Sequence, residues 1–372
     1  MHNLKTYITT LVLILSIISC NAQTSLSRLS FKEGKSTIIK GVVDMKGEEL
    51  VLPKDVTLKF EKGGCLKNGR IIATNTSITG YKHGIFDGVK IAGKWNVKHI
   101  STDMFNDISS LNSLQNVFAL ASETVDNVII IHEGNYKVSA SSSGNTILPV
   151  PSNTEVIING TIIMLPNDYT NYYIVGLQGE NIELHGKGEI VGDKHTHTGI
   201  KGEWGMGVNL AECRNVNIYD LTIRDCWGDC IYIGTESTDV RINNCTLDHG
   251  RRQGISITSA GKVLIENCVI SNVGGTAPEY AIDIEPNKND IIEYVIVRNV
   301  KSVDCKGGFL TWGGADDCSI NNVELYDCYV VGATKPDYSF NTSRNVKLVN
   351  CISERGYKPN NNKCKSFEVI NK

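Results

Sequence analysis

Asp283-Ile284-Glu285-Pro286 places two acids one residue apart. On an extended strand such residues point to the same face, with Cα atoms roughly 6 to 7 Å apart. Two carboxyl groups at that separation can serve as acid and base, or as acid and nucleophile, in glycoside hydrolysis. The same oxygens could instead hold Ca²⁺, or simply be two solvated surface acids. Asp229, in Trp227-Gly228-Asp229-Cys230, is a further candidate, with turn capping as its plainer role. Arg251 and Arg252 precede Gln253; adjacent arginines can clamp a carboxylate or sulfate through paired hydrogen bonds. With the acids, they point to an anionic glycan. Tyr232, Trp227 and Trp312 could meet a sugar ring, or serve as packing at a rim.

These residues lie in a repeating stretch. Val216-Asn-Ile, Val240-Arg-Ile, Val263-Leu-Ile, Val295-Ile-Val, Cys318-Ser-Ile and Val346-Lys-Leu are each followed by an acid or amide: Asp220, Asn244, Asn267, Asn299, Asn322 and Asn350. The intervals between those six are 24, 23, 32, 23 and 28 residues. A period in this range, with one short alternating strand per unit, marks a solenoid. The units are too short for paired helices and too rich in β-branched residues, so each is expected to be one coil of a β-helix. Asn and Asp suit the sharp turn, since after Gly they tolerate the left-handed conformation best.

A second strand is expected in each coil, with Ile231, Ile255, Ile282, Leu310 and Phe340 as its inward column. Tyr232, Ser256, Asp283 and Thr311 then face outward, with Gly234, Thr258, Glu285 and Gly313 two positions further on. The coil carrying Ile282 has extra residues on both sides of this strand, and insertions in a solenoid become loops on one face, often the binding face. Asp229 is two rungs from Asp283, an offset on the order of 14 Å between Cα atoms at the usual rung spacing.

Other chemistry-bearing residues carry weaker signals. Asp193, His195 and His197 alternate, as ligands of a zinc site would, but no fourth ligand is evident. His249 sits in a turn, as a possible proton carrier or an ordinary exposed residue. Cys245, Cys268 and Cys351 directly follow ladder residues, and Cys226, Cys305 and Cys328 fall six after theirs. Such columns read as stacked thiols used as small hydrophobes, rather than as a disulfide framework. No phosphate loop, nucleophile elbow or dinucleotide fingerprint is present.

The N-terminus has Lys5, the apolar run Leu11–Ile18, and then Ser19-Cys20. This pattern is expected to be an export signal; its end resembles a bacterial lipobox with Cys20 as the lipidated residue, the alternative being ordinary signal cleavage just after Ala22-Gln23. The expected organisation is residues 1–23 as signal, 24–123 as a β-rich cap region with a helix from about Ser109 to Ser122, and 124–372 as the β-helix. The helix is expected to cover the open end of the solenoid. A net charge of −3 gives no argument for nucleic acid, and the membrane enters only through the lipid anchor.

Asn127-Val-Ile-Ile-Ile-His-Glu-Gly-Asn-Tyr136 resembles the opening of pectate-lyase-like β-helix proteins. Ser152–Gly160, Pro166–Tyr169 and Glu180–Gly192 are similar to the entry coils of the polygalacturonase family. The likeness covers roughly residues 125 to 350. It implies an all-β, right-handed parallel β-helix and a polysaccharide substrate. That family's catalytic motifs are replaced here: with Asp229 as the second acid of its Asp pair, Gln253 stands for its His and Asp283-Ile-Glu285 for its Arg-Ile-Lys. β-Helix lyases resembling this fold often place acids beside Ca²⁺ with Lys or Arg as base, which makes Arg252, Lys288 and Lys306 candidates.

The expectation is an exported bacterial protein of the cell surface, outer membrane or periplasm, hydrolysing a polysaccharide. Asp283 and Glu285 form the pair and Asp229 supports them; Arg251, Arg252, Gln253, Tyr232 and Trp312 contact substrate. No cofactor is expected for hydrolysis. Two alternatives stay open: Ca²⁺-dependent elimination or uronate epimerisation, and glycan binding without catalysis.

Overall fold

A computed structural model describes residues 24–371. Cys20 and the whole signal segment lie outside the described residues. Short strands wind into a solenoid: one sheet has eighteen strands and a second has nine, and the strand pairings are parallel. The alternating apolar residues dictate the winding. In the Thr154–Ile158 strand, Thr154, Val156 and Ile158 are buried while Glu155 and Ile157 face outward. Stacked inward columns such as Val216–Val240–Val263–Val295–Val323–Val346 build a continuous core. Each fully buried aliphatic side chain contributes about 1.5–3 kcal/mol.

The corner ladder is present, with its residues at positive φ, for example 59° at Asp220 and 52° at Asn244. Asn244 Nδ2 donates to Asp220 Oδ1 (2.6 Å), Asn299 to Asn267 (2.8 Å) and Asn350 to Asp327 (3.1 Å). One expected member is corrected. Asn322 belongs to another corner, where Asn345 Nδ2 donates to it at 3.0 Å, and Asp327 takes its place. The strand Ser319–Tyr326 pairs Val323 with Val295 and Leu325 with Val297. Its sequence offers two apolar-x-apolar stretches, each followed by Asn or Asp, and the earlier one misled the alignment. Cys328 therefore directly follows a ladder residue, and its thiol donates to the Val297 and Tyr326 carbonyls. All eleven cysteines among the described residues are free thiols, as stacked buried columns require.

The second-strand column runs Ile231–Ile255–Ile282–Phe309–Tyr338. Leu310 thus lies in line with Asp283 rather than with Ile282, and Phe340 lies on Thr311. The Phe309 and Tyr338 rings stack at 5.4 Å, so an aromatic pair continues the inward column where Leu310 and Phe340 were expected.

The N-terminal region is also wound in parallel, as a seven-stranded sheet of its own. Ser36 pairs with Thr57 and Glu49 with Arg70, twenty-one residues on in both cases. His99–Ser101 then pairs with Asn127–Ile131 and opens the long sheet. The helix is shorter than expected, Ser113–Phe118. It packs against the strand Phe86–Asn96 and against Asn135–Val138 and Asn145–Val150, each of which is paired on one side only.

Candidate active site

Five strands place the site's outward column: Asn209, Tyr232, Ser256, Asp283 and Leu310 occupy successive rungs of one face. Arg252 and Gln253 come from the turn before Ile255–Ile257. That turn fits closely beneath the next rung. A Cβ on Gly254 would lie 2.3 Å from Ile270 Cγ2 and 2.5 Å from the Ala281 carbonyl oxygen, so only glycine lets the turn sit there.

Asp229 is 0% exposed. Burial raises its carboxyl to about 6 although Arg252, the Ser256 hydroxyl and the Gln253 amide pull the other way. Its Oδ2 lies 3.4 Å from Arg252 Nη1, while its Oδ1 is buried and unpaired. The Arg252 side chain lies among four acids. Burial would lower its pKa, but Asp229, then Asp283, Glu203 and Glu285, raise it overall. Its Nε is 3.4 Å from Glu203 Oε2, outside hydrogen-bond geometry. Asp283 lies two rungs beyond Tyr232, and the Arg252 side chain comes close enough to both Asp229 and Asp283 to feel their charge.

Asp283 is 1% exposed. Burial and then the charge of Glu285 raise its carboxyl well above the usual range, against the pull of Arg252. Glu285 is close enough for its charge to act on Asp283, which therefore favours its protonated form. Gln253 is buried and donates from Nε2 to Asp283 Oδ2 at 2.7 Å, while its Oε1 accepts the Tyr280 N–H at 2.7 Å. Gln253 therefore orients Asp283 from below; the structure gives it no open face toward a substrate. Asp283 Oδ1 is buried and unpaired. Glu285 is half-buried, the acid of the pair with a face on solvent. Trp312 is 48% exposed and follows Thr311, which pairs with Ile284, so it continues in line with Glu285 where Gly313 was expected.

Other expected residues go elsewhere. Arg251 Nη1 donates to the Gly202 (2.8 Å) and Trp227 (3.2 Å) carbonyls, and its guanidinium lies 3.7 Å over the Trp227 ring. It forms no clamp with Arg252. The other face of Trp227 stacks on His197 at 3.9 Å. His197 Nδ1 binds Asp193 Oδ2 (2.8 Å), whereas His195 reaches Asp225 (3.0 Å), so the three do not converge on a metal. His249 pairs with Asp248, Lys288 with Asp316 and Lys306 with Glu279, away from the acids.

Glu203, Trp204 and Met206 also belong to this region and were not expected there. They precede or open the Trp204–Tyr219 strand, whose first half lies on the same face. Met206 Sδ accepts the Asp229 N–H at 3.3 Å. The only local signal was Trp204 and Met206 set among glycines, which gives no rung position. Trp204 and Met206, with Tyr173 and Tyr232, line a cleft of about 1090 Å³ that reaches Phe118 of the helix Ser113–Phe118; the acids lie beside its Met206 and Tyr232 end and are not part of its lining. Tyr232 joins the two regions, its hydroxyl accepting from Thr258 Oγ1 at 2.8 Å.

The donor set does not suit Ca²⁺. That ion takes six to eight oxygens, and here a guanidinium already lies among the acids. Elsewhere, Glu155, Glu183 and His185 offer ligand atoms within 4.8 Å of one another. These are occupied by their own contacts: His185 Nε2 bonds Glu155 Oε1 at 3.0 Å, and the Tyr219 hydroxyl donates to Glu183 at 3.1 Å.

The chain is 34% identical over 198 residues to the uncharacterized protein YclG of Bacillus subtilis, covering 45% of this chain and 34% of YclG. It is 26% identical over 285 residues to the SPbeta prophage-derived uncharacterized protein YorA of the same organism, covering 68% of this chain and 48% of YorA. The chain thus spans half or less of the length of these relatives. Among solved structures, an exopolygalacturonase from Thermotoga maritima aligns with a TM-score of 0.47 and 16% identity, over 71% of this chain and 78% of that one. The family model for the right handed beta helix region matches residues 117–320 and 240–359, and the chain belongs to that family.

Proposed function

We propose that this protein hydrolyses a glycosidic bond of a polysaccharide, using Asp283 and Glu285 as the reacting pair and Asp229 in support. One observation carries the reading: two buried acids, Asp229 and Asp283, both held above the usual carboxylate range, lie about Arg252 on the face that continues past the Tyr232 side of the cleft. Glu285 is the acid that reaches substrate, and Asp283 beneath it, raised by burial, holds a proton. In the reaction that proton passes through Glu285 to the leaving oxygen as the C–O bond breaks. Water adds to the anomeric carbon and returns a proton to the pair, so acid and base are both restored. Arg252 and Asp229 keep the surrounding charge nearly balanced while the sugar becomes cationic.

Elimination is less well served. Arg252 lies among acids that hold its proton, and Lys288 is paired with Asp316, so neither is poised as a base. Export through the N-terminal signal, with Cys20 as lipid anchor, would place the protein where such polymers occur. The test is digestion of a glycan panel with and without EDTA, following reducing ends and ultraviolet absorbance. Reducing ends without absorbance, unaffected by EDTA, support hydrolysis. Absorbing products that need a metal would make this a lyase. Glycan bound but never cut would make it a binding protein.

A further inference from the structure

The cleft beside the acids differs in charge from what the arginine pair suggested. Among the described residues that line it there is no lysine or arginine, and its one charged side chain is an acid, Glu123. The two arginines nearby are already engaged. Arg251 is held by two carbonyls and the Trp227 ring, and Arg252 by Asp229 and Glu203. Beyond its Tyr232 rung, four acids lie around that single guanidinium. A uronate or sulfate entering here would lose hydration and meet negative charge without a free cation to pair with.

The lining instead offers neutral polar groups and aromatic faces. Asn171, Gln178 and Asn209 present amides, and Tyr173 and Tyr232 present phenols. Trp204 is 47% exposed, an unusual position for so large a ring unless something covers it. The floor is kept low at Gly176, where a Cβ would lie 2.5 Å from Thr146 Cγ2. Aromatic faces suit the apolar face of a pyranose, and amides suit its hydroxyls.

We infer that the cleft takes an uncharged glycan chain, with Trp204 as its stacking platform. This rests on the proposed glycan function of the same site and narrows the substrate to neutral polysaccharides. The test measures binding to the full-length Glu285→Gln protein, which keeps the cleft and removes the chemistry. The probes are oligosaccharides of glucan, mannan, xylan and galactan, against oligouronates and sulfated oligosaccharides. At least one neutral probe is expected to bind with little dependence on salt. Trp204→Ala should weaken that binding about tenfold, and Trp204→Phe should restore most of it, which separates stacking from folding. Binding of the anionic probes alone, relieved by salt, would overturn the inference, and so would binding of neither class. Neutral binding to a wild-type protein that cuts nothing would leave the inference standing and remove the hydrolase.

Discussion

Arg252→Met removes the cation between Asp229 and Asp283 while nearly keeping the side chain's bulk. In the native protein burial raises Asp229 from 3.8 to about 6 despite Arg252. The folded state thus holds this proton more tightly than the unfolded chain. The stability it brings is fully present below pH 3.8 and is lost as pH rises through about 6. Across that window Asp229 alone removes about 3 kcal/mol. Arg252 is the largest opposing influence, so its loss lifts the Asp229 pKa further and extends the decline to higher pH. At pH 8 the variant should be about 3 to 5 kcal/mol less stable than wild type, the cost of leaving a buried charge unpaired. At pH 4, with Asp229 largely protonated in both, the difference should shrink to packing alone, under about 1.5 kcal/mol. Urea denaturation followed by tryptophan fluorescence at the two pH values measures this. A deficit equal at both, or larger in acid, would refute the charge balance described for this site.

Gln253→Ala should cost about 2 to 4 kcal/mol in the same assay, because it removes two buried hydrogen bonds and orphans the Tyr280 N–H; a loss below about 0.5 kcal/mol would contradict that role. Asn267→Ala should cost about 1 to 2 kcal/mol, since it breaks the amide ladder and leaves a side chain less tolerant of φ 56° at the corner. Asn267→Gly, which relieves the backbone but not the ladder, should recover part of that loss in denaturant titration. Asp229→Asn should keep glycan binding while lowering turnover, and an unchanged rate across pH would remove Asp229 from the chemistry.

The solenoid was legible in the sequence because a parallel coil repeats its inward residues and its turn residues at a nearly fixed interval. The interval failed where one strand carried two valid phases: Ser319–Tyr326 placed Asn322 at a corner, as expected, but at the wrong one. The same limit hid the register of the next face. Phe309 and Leu310 are both apolar, and only pairing with Ile282 and Asp283 tells which points inward. Asp283 and Glu285 were readable because acids interrupt an otherwise apolar strand between two insertions. Their setting was not. Gln253, Arg252 and Glu203 reach the acids across rungs, through side-chain length that sequence spacing does not encode. Arg251 and Arg252 are adjacent in sequence yet diverge, one to Trp227 and the other to Asp229. The Trp204 cleft lies along coils whose sequence has no charged motif to mark it.

The most direct test of the central claim compares initial rates of reducing-end release by the wild type and by Glu285→Gln. The substrate is the glycan cleaved best in the panel, and binding to both proteins is measured alongside. Loss of the Glu285 carboxyl should lower the rate by about 10² to 10⁴ with affinity nearly unchanged. A Glu285→Gln protein that still cleaves at the wild-type rate would contradict it and leave the acid pair with a purely structural role.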